Sequence, residues 1–172
     1  MKKMLFSLLV AGFAAFGAVA AEEQKEVSWP VFLGLNDVAD VDLIGVRFNL
    51  YNGHVDQMTG FDFGIAGHAN DFYGLQLNII RNEAVDILAG VQVGIYNSAG
   101  RSDMLGFQGG LWNEAGSVYG VQAGLVNLAD YSDGFQIGLI NRTEGMHGYQ
   151  IGLVNIIRDS QVPFCPIINI GF

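Results

Sequence analysis

Charge, cross-links and rigid backbone are all scarce in this chain. Charged residues make up only 15% of its 172 positions, with three prolines and one cysteine, Cys165. A single cysteine excludes an internal disulfide, and Cys165 reads as a small apolar filler of the last strand. Cations are few, with 8 Lys and Arg against 17 Asp and Glu for a net charge of −9. That balance argues against nucleic acid, which needs clustered cations to displace its counterions. Past the first twenty residues no apolar run approaches the ~20 residues of a spanning helix, so residence in a membrane would require a closed barrel. Motifs that carry chemistry are missing as well. There is no G-x-S-x-G, no phosphate loop and no H-E-x-x-H, and His54, His68 and His147 lack ligand spacing. Carboxylates such as Asp37, Asp130 and Glu144 are scattered through turns. The expectation is therefore no enzyme, no metal and no cofactor.

Glycine is plentiful, with 24 residues, and it is organised. The chain opens with Lys2 and Lys3, an apolar run and Ala18-Val19-Ala20, the layout of a secretory signal peptide over residues 1–20. Its removal takes the net charge from −9 to −11, since two lysines leave with it. Residues 21–28 read as a polar, flexible N-terminus, Trp29 to Asn36 as a first strand, and 29–172 as one domain.

From Gly45 a unit recurs: GVRFNLYN, GFDFGIAG, GLQLNIIR, GVQVGIYN, GFQGGLWN, GVQAGLVN, GFQIGLIN and GYQIGLVN, opening at Gly45, Gly60, Gly74, Gly90, Gly106, Gly120, Gly134 and Gly148. Between the units lie turn-like stretches such as NEAGS and RTEGMH. Large apolar residues occupy the second, fourth and sixth positions, as in Phe135, Ile137 and Leu139, while Gly and Gln alternate with them. Period two means strand, with one greasy face and one face of Gly and Gln. Residues 118–127, VYGVQAGLVN, are nearly palindromic about Gln122. In an up-and-down sheet such a unit sets neighbouring glutamines at one level whichever way each strand runs. With the first strand and the tail VPFCPIINIGF the count is about ten strands, each of about ten residues. Tilted, each would rise ~25 Å, the height of the outer-membrane apolar band. The expected fold is an all-β antiparallel up-and-down barrel, with a β-solenoid as the alternative.

The units GFQIGLIN and GYQIGLVN, with the ending PFCPIINIGF, resemble a bacterial family of surface-repeat proteins built from GLQIGLVN-like phrases. The resemblance covers residues 29–172 and implies export to the surface or outer membrane, without implying an activity. The tail also resembles the C-terminal strand signature of outer-membrane barrels, in which Phe164, Ile168, Ile170 and Phe172 would serve as the membrane-insertion signal read by the barrel-assembly machinery. Two partners follow from this, outer-membrane lipid and that machinery, and a Gram-negative cell envelope. QVGIYNSA, QGGLWNEA and QAGLVNLA are in turn similar to the Q-x-G-x-x-N-x-A core of curli-type repeats, which stack as a parallel solenoid with Gln and Asn ladders.

In the barrel reading Gln76, Gln92, Gln108, Gln122, Gln136 and Gln150 line the lumen, as buried structural amides or as a polar path for small solutes. Arg47 and Asp62 stand where Gln is expected in consecutive units, which predicts a lumenal ion pair. Asn49 and Asn78 replace the second Gly of their units. In the solenoid reading the apolar side chains form the dry core, and Gly and Gln lie outside. The function expected is a structural or surface role, as an outer-membrane barrel or as a curli-like or adhesin-like extracellular module.

Overall fold

A computed structural model describes residues 41–50, 53–100 and 103–172, together with backbone pairing of Val27–Ser28 and Val31–Gly34. The leader at 1–20 and the first part of the polar N-terminus lie outside the described residues. The elements are β1 (Val27–Ser28), β2 (Val31–Gly34), β3 (Asp42–Asn49), β4 (Gly53–Ser98), β5 (Asp103–Ile137), β6 (Ile140–Ile157) and β7 (Phe164–Gly171). At 46 and 35 residues, β4 and β5 are far longer than any straight strand. They are coils of extended chain that wind round and pair with the next turn.

Pairing decides the architecture. Gly45 sits opposite Gly60, Gln92 opposite Gln108, and Gln136 opposite Gln150, all in parallel register. Asn97 meets Asn113 and Asn127 meets Asn141 in the same sense. Each repeat is therefore one turn of a mostly parallel β-solenoid of about seven turns. The antiparallel ten-strand barrel expected from the palindrome is wrong: neighbours one repeat apart run in the same direction. The only antiparallel pair among the described residues is β6 with β7, where Tyr149 faces Ile170 and Ile151 faces Ile168.

The palindrome misled because its mirror-related glycines differ. Gly120 has φ +143°, and a Cβ there would sit 2.1 Å from the carbonyl oxygen of Gly106. That column, Gly45 through Gly148, keeps a positive φ in every turn and stacks glycine on glycine. Gly124 serves another purpose: a Cβ there would meet Gly110 O at 2.2 Å and the Asn113 amide nitrogen at 2.6 Å. It clears space for an asparagine.

The interior is a set of stacked columns. One runs Leu43, Met58, Phe72, Leu88, Met104, Val118, Ser132, Met146, and another Val55, Ala69, Ala84, Ala99, Ala115, Ala129, Thr143, Ile157; all are buried. Between them lie the glutamines and asparagines. The large apolar residues of the repeat point outward instead: Ile95, Leu111, Leu125 and Leu139 are all close to half exposed. The solenoid alternative had placed Gly and Gln outside, and that assignment is inverted in the molecule. Two close-packed layers leave room for Ala, Gly and extended amides but not for three large side chains per strand.

β7 closes the stack by retracing the last turn backwards. Phe164 and Cys165 pair with Ile156 and Asn155, and Ile168 to Gly171 pair with Ile151 to Gly148. The bend between them falls at Pro166 and Ile167, where the register slips opposite the Gly152 to Asn155 corner. Ile167 there has φ +74°, a region that β-branched residues avoid. Ile167→Gly is expected to stabilise the fold by about 1 kcal/mol net of glycine's extra backbone entropy, and so to raise the thermal midpoint. Thermal denaturation followed by circular dichroism checks this, and a lower midpoint would show that the bend does not carry strain.

Candidate functional site

The extended backbone points every second side chain inward. Parallel register then brings like residues together at the rung spacing of ~4.8 Å. The six repeat glutamines are fully buried, and from Gln92 to Gln150 each donates from Nε2 to the Oε1 of the glutamine one turn earlier, at 2.7–2.9 Å. The second Nε2 hydrogen crosses the interior: Gln108 reaches Glu114 O and Gln122 reaches Leu128 O, both at 3.3 Å. These amides line no lumen, because there is no barrel. They are the filled interior of a two-layer solenoid.

A second ladder, of the kind implied by the resemblance to curli-type cores but absent from the barrel reading, runs beside the first. Asn82, Asn97, Asn113, Asn127, Asn141 and Asn155 are buried, and each of the first five donates from Nδ2 to the Oδ1 of the next at 2.7–2.8 Å. Its polarity is opposite. Glutamine donors point toward the first turn and asparagine donors toward the last. The signal was present in the Q-x-G-x-x-N-x-A spacing, since the asparagine has no mirror partner in the palindrome.

Among the departures of the first turns from the repeat, Arg47, Asn49 and Asn78 gather around the carboxylate of a fourth, Asp62. Asp62 accepts from Arg47 Nε at 3.0 Å, Arg47 Nη2 at 2.8 Å, Gln76 Nε2 at 3.0 Å, Asn78 Nδ2 at 3.1 Å and Asn49 Nδ2. Arg47 and Asp62 are both fully buried. Arg47 Nη1 donates to Gly53 O and His68 O. Gln76 is the first rung of the ladder and needs an acceptor where no earlier glutamine exists. Asp62 supplies it with full charge, and Arg47 neutralises that charge.

The last turns end differently. Asn155 Nδ2 donates to Cys165 O of β7 at 3.1 Å, so the closing strand terminates the asparagine ladder. Gln150 lies opposite Asn169, but Gln150 Oε1 and Asn169 Nδ2 are both buried without a partner. Of the tail residues expected to signal membrane insertion, Ile168 and Ile170 extend the outer apolar face. Phe164 pairs near the opposite edge and Phe172 is fully exposed.

On the outside of the early turns a smaller ionic group forms. His68 Nδ1 lies 3.0 Å from Glu83, which also holds Arg81 at 2.7 Å, and the His54 ring packs edge-on to His68 at 4.5 Å. Burial lowers the pKa of His68 below the usual histidine range, with nearby His54, Arg81 and Arg47 acting in the same sense and Glu83 opposing. Among the described residues no three His, Cys, Asp or Glu side chains come together as a metal site. Comparison with family models, curated proteins and solved structures gave no match.

Two predictions follow from these groups. Asp62→Gln or Arg47→Gln alone should cost about 3–5 kcal/mol, because each leaves a buried partner uncompensated. The double variant Arg47→Gln/Asp62→Gln should regain most of that loss by extending the glutamine ladder two rungs. Urea unfolding of the four proteins as a double-mutant cycle measures the coupling, and additive losses would refute it. For His68, a folded pKa below the unfolded one means that its contribution is complete above the ordinary histidine range and declines as pH falls through it. Unfolding midpoints should therefore drop as pH falls below the ordinary histidine value of about 6.5, and His68→Gln should flatten that drop. An unchanged slope in the variant would assign the pH dependence elsewhere.

Proposed function

We propose that this chain is an exported β-solenoid of the cell surface or extracellular space, acting as a structural and interaction module and not as an enzyme. One observation carries the reading: every turn stacks in parallel on the last, with its interior saturated by side-chain amides. Such a body is a rigid rod that presents long, regular outer faces, and its polar groups are consumed in holding the rod together. The leader-like residues 1–20 and the resemblance of the repeats to bacterial surface-repeat proteins support the address. The resemblance to curli-type cores supports the structural role.

The reading is tested in two steps in a Cys165→Ser background. Phe135 and Tyr149 stack at 5.5 Å as register partners. Paired cysteines at 135 and 149 should oxidise readily, whereas cysteines at 135 and 151, opposite one another only in an antiparallel arrangement about the glutamines, should not. A cysteine in place of Asp130, which is exposed and away from the apolar face of the repeat, should then react with a membrane-impermeant maleimide on intact cells. Labelling only after lysis would remove the surface assignment.

A further inference from the structure

The outward positions of the repeat, the second, fourth and sixth, build one continuous face over eight rungs. No position on it carries a charge, and apart from Gly109 and Ala123 every side chain is large and apolar, from Val46 to Leu153. Register continues the face into β7 through Ile168 and Ile170. Eight rungs at ~4.8 Å by six residues at ~3.3 Å give roughly 750 Å², above the few hundred Å² that ordinary monomers expose as one patch. Two such faces together would bury roughly 1,500 Å², the size of a standard stable interface.

From this we infer that the face is the interface of a homodimer, in which a second copy of this chain packs sheet on sheet. The inference rests on the solenoid reading above. Three features favour a second copy over a lipid surface. The face is flat and repeats at one spacing, so a twofold axis through its middle sets ridges of one copy against the grooves of the other, in an isologous contact. The acids lie elsewhere, with Glu83, Glu114 and Glu144 on the other layer or its corners, so a face-to-face pair holds its negative charge apart. A membrane-docking face would be rimmed by Lys and Arg, and this chain has only 8 in all against 17 acids.

The test uses the full chain, purified without detergent. Light scattering at micromolar concentration should give twice the monomer mass of 18.6 kDa. Ile95→Lys/Leu125→Lys places two charges on the face without touching the interior. It should weaken association at least 100-fold while leaving the β-sheet circular dichroism unchanged. Val93 lies near the middle of the face, so Val93→Cys in a Cys165→Ser background should cross-link to its own copy with a short bis-maleimide. Cysteine in place of Leu128 on the other layer should not, and this comparison decides the matter even where the lysine variant fails to fold. A monomeric wild-type chain, or association that survives the lysine pair, would overturn the dimer. Flotation of monomers with phosphatidylcholine vesicles would overturn it in favour of lipid. If cysteines 135 and 149 oxidise while these measurements fail, the dimer alone is lost and the solenoid stands.

Discussion

A buried primary amide has two donor hydrogens and a carbonyl acceptor, and leaving any of them unpaired costs free energy on the order of 1–3 kcal/mol. Here twelve such side chains, six glutamines and six asparagines, form two ladders in one narrow interior. One geometry serves them all: identical residues repeated along an axis at the strand spacing, each donating to a neighbour on one side and accepting from the other. Parallel, in-register winding follows from that requirement. So do the glycines: the Gly120 column lets backbones stack where a Cβ would collide, and the Gly124 column makes room for the asparagine amide.

Aligned amides polarise one another, and a single array of them would build up a dipole along the rod. The two ladders run in opposite senses and so offset each other. Their ends are where a periodic solution must fail, and the sequence is irregular at those ends. At the first turns Asp62 gives the glutamine ladder an anionic acceptor and Arg47 compensates it. At the last turns the antiparallel β7 offers Cys165 O to the asparagine ladder but leaves Gln150 Oε1 without a donor. The charged substitutions in the early repeats are thus the termination of a hydrogen-bond array.

The strands, their period and their two unlike faces were legible in the sequence, because alternation at period two is a local property of each unit. Strand direction was not. The symmetry about Gln122 holds for Gln, Gly and the apolar residues, and a glutamine at mid-strand meets another glutamine in either direction. The discriminating residue is Asn127, five positions on: an antiparallel partner would set it opposite a turn, whereas a parallel one sets it against Asn113 and Asn141. The juxtaposition of Arg47 with Asp62 was legible too, since it needs only adjacent strands in register. Which face turns inward could not be read from hydropathy. Apolar residues ordinarily go inside, but two layers this close admit amides and small side chains, and saturated amides can be buried without penalty.

That choice leaves the energetics of the rod unusual. Each turn buries only one large apolar column and one column that is mostly alanine, while its largest hydrophobic side chains remain at the surface. Stability then accrues rung by rung from hydrogen bonds and nearest-neighbour contacts, as in other solenoids. A rung at the end has one neighbour where an interior rung has two, so fraying begins at the ends unless they are reinforced. A buried ion pair near one end and a strand that folds back over the last turn at the other supply that reinforcement. The hydrophobic free energy of the outer face is not realised within one chain, and it becomes available only when something covers that face.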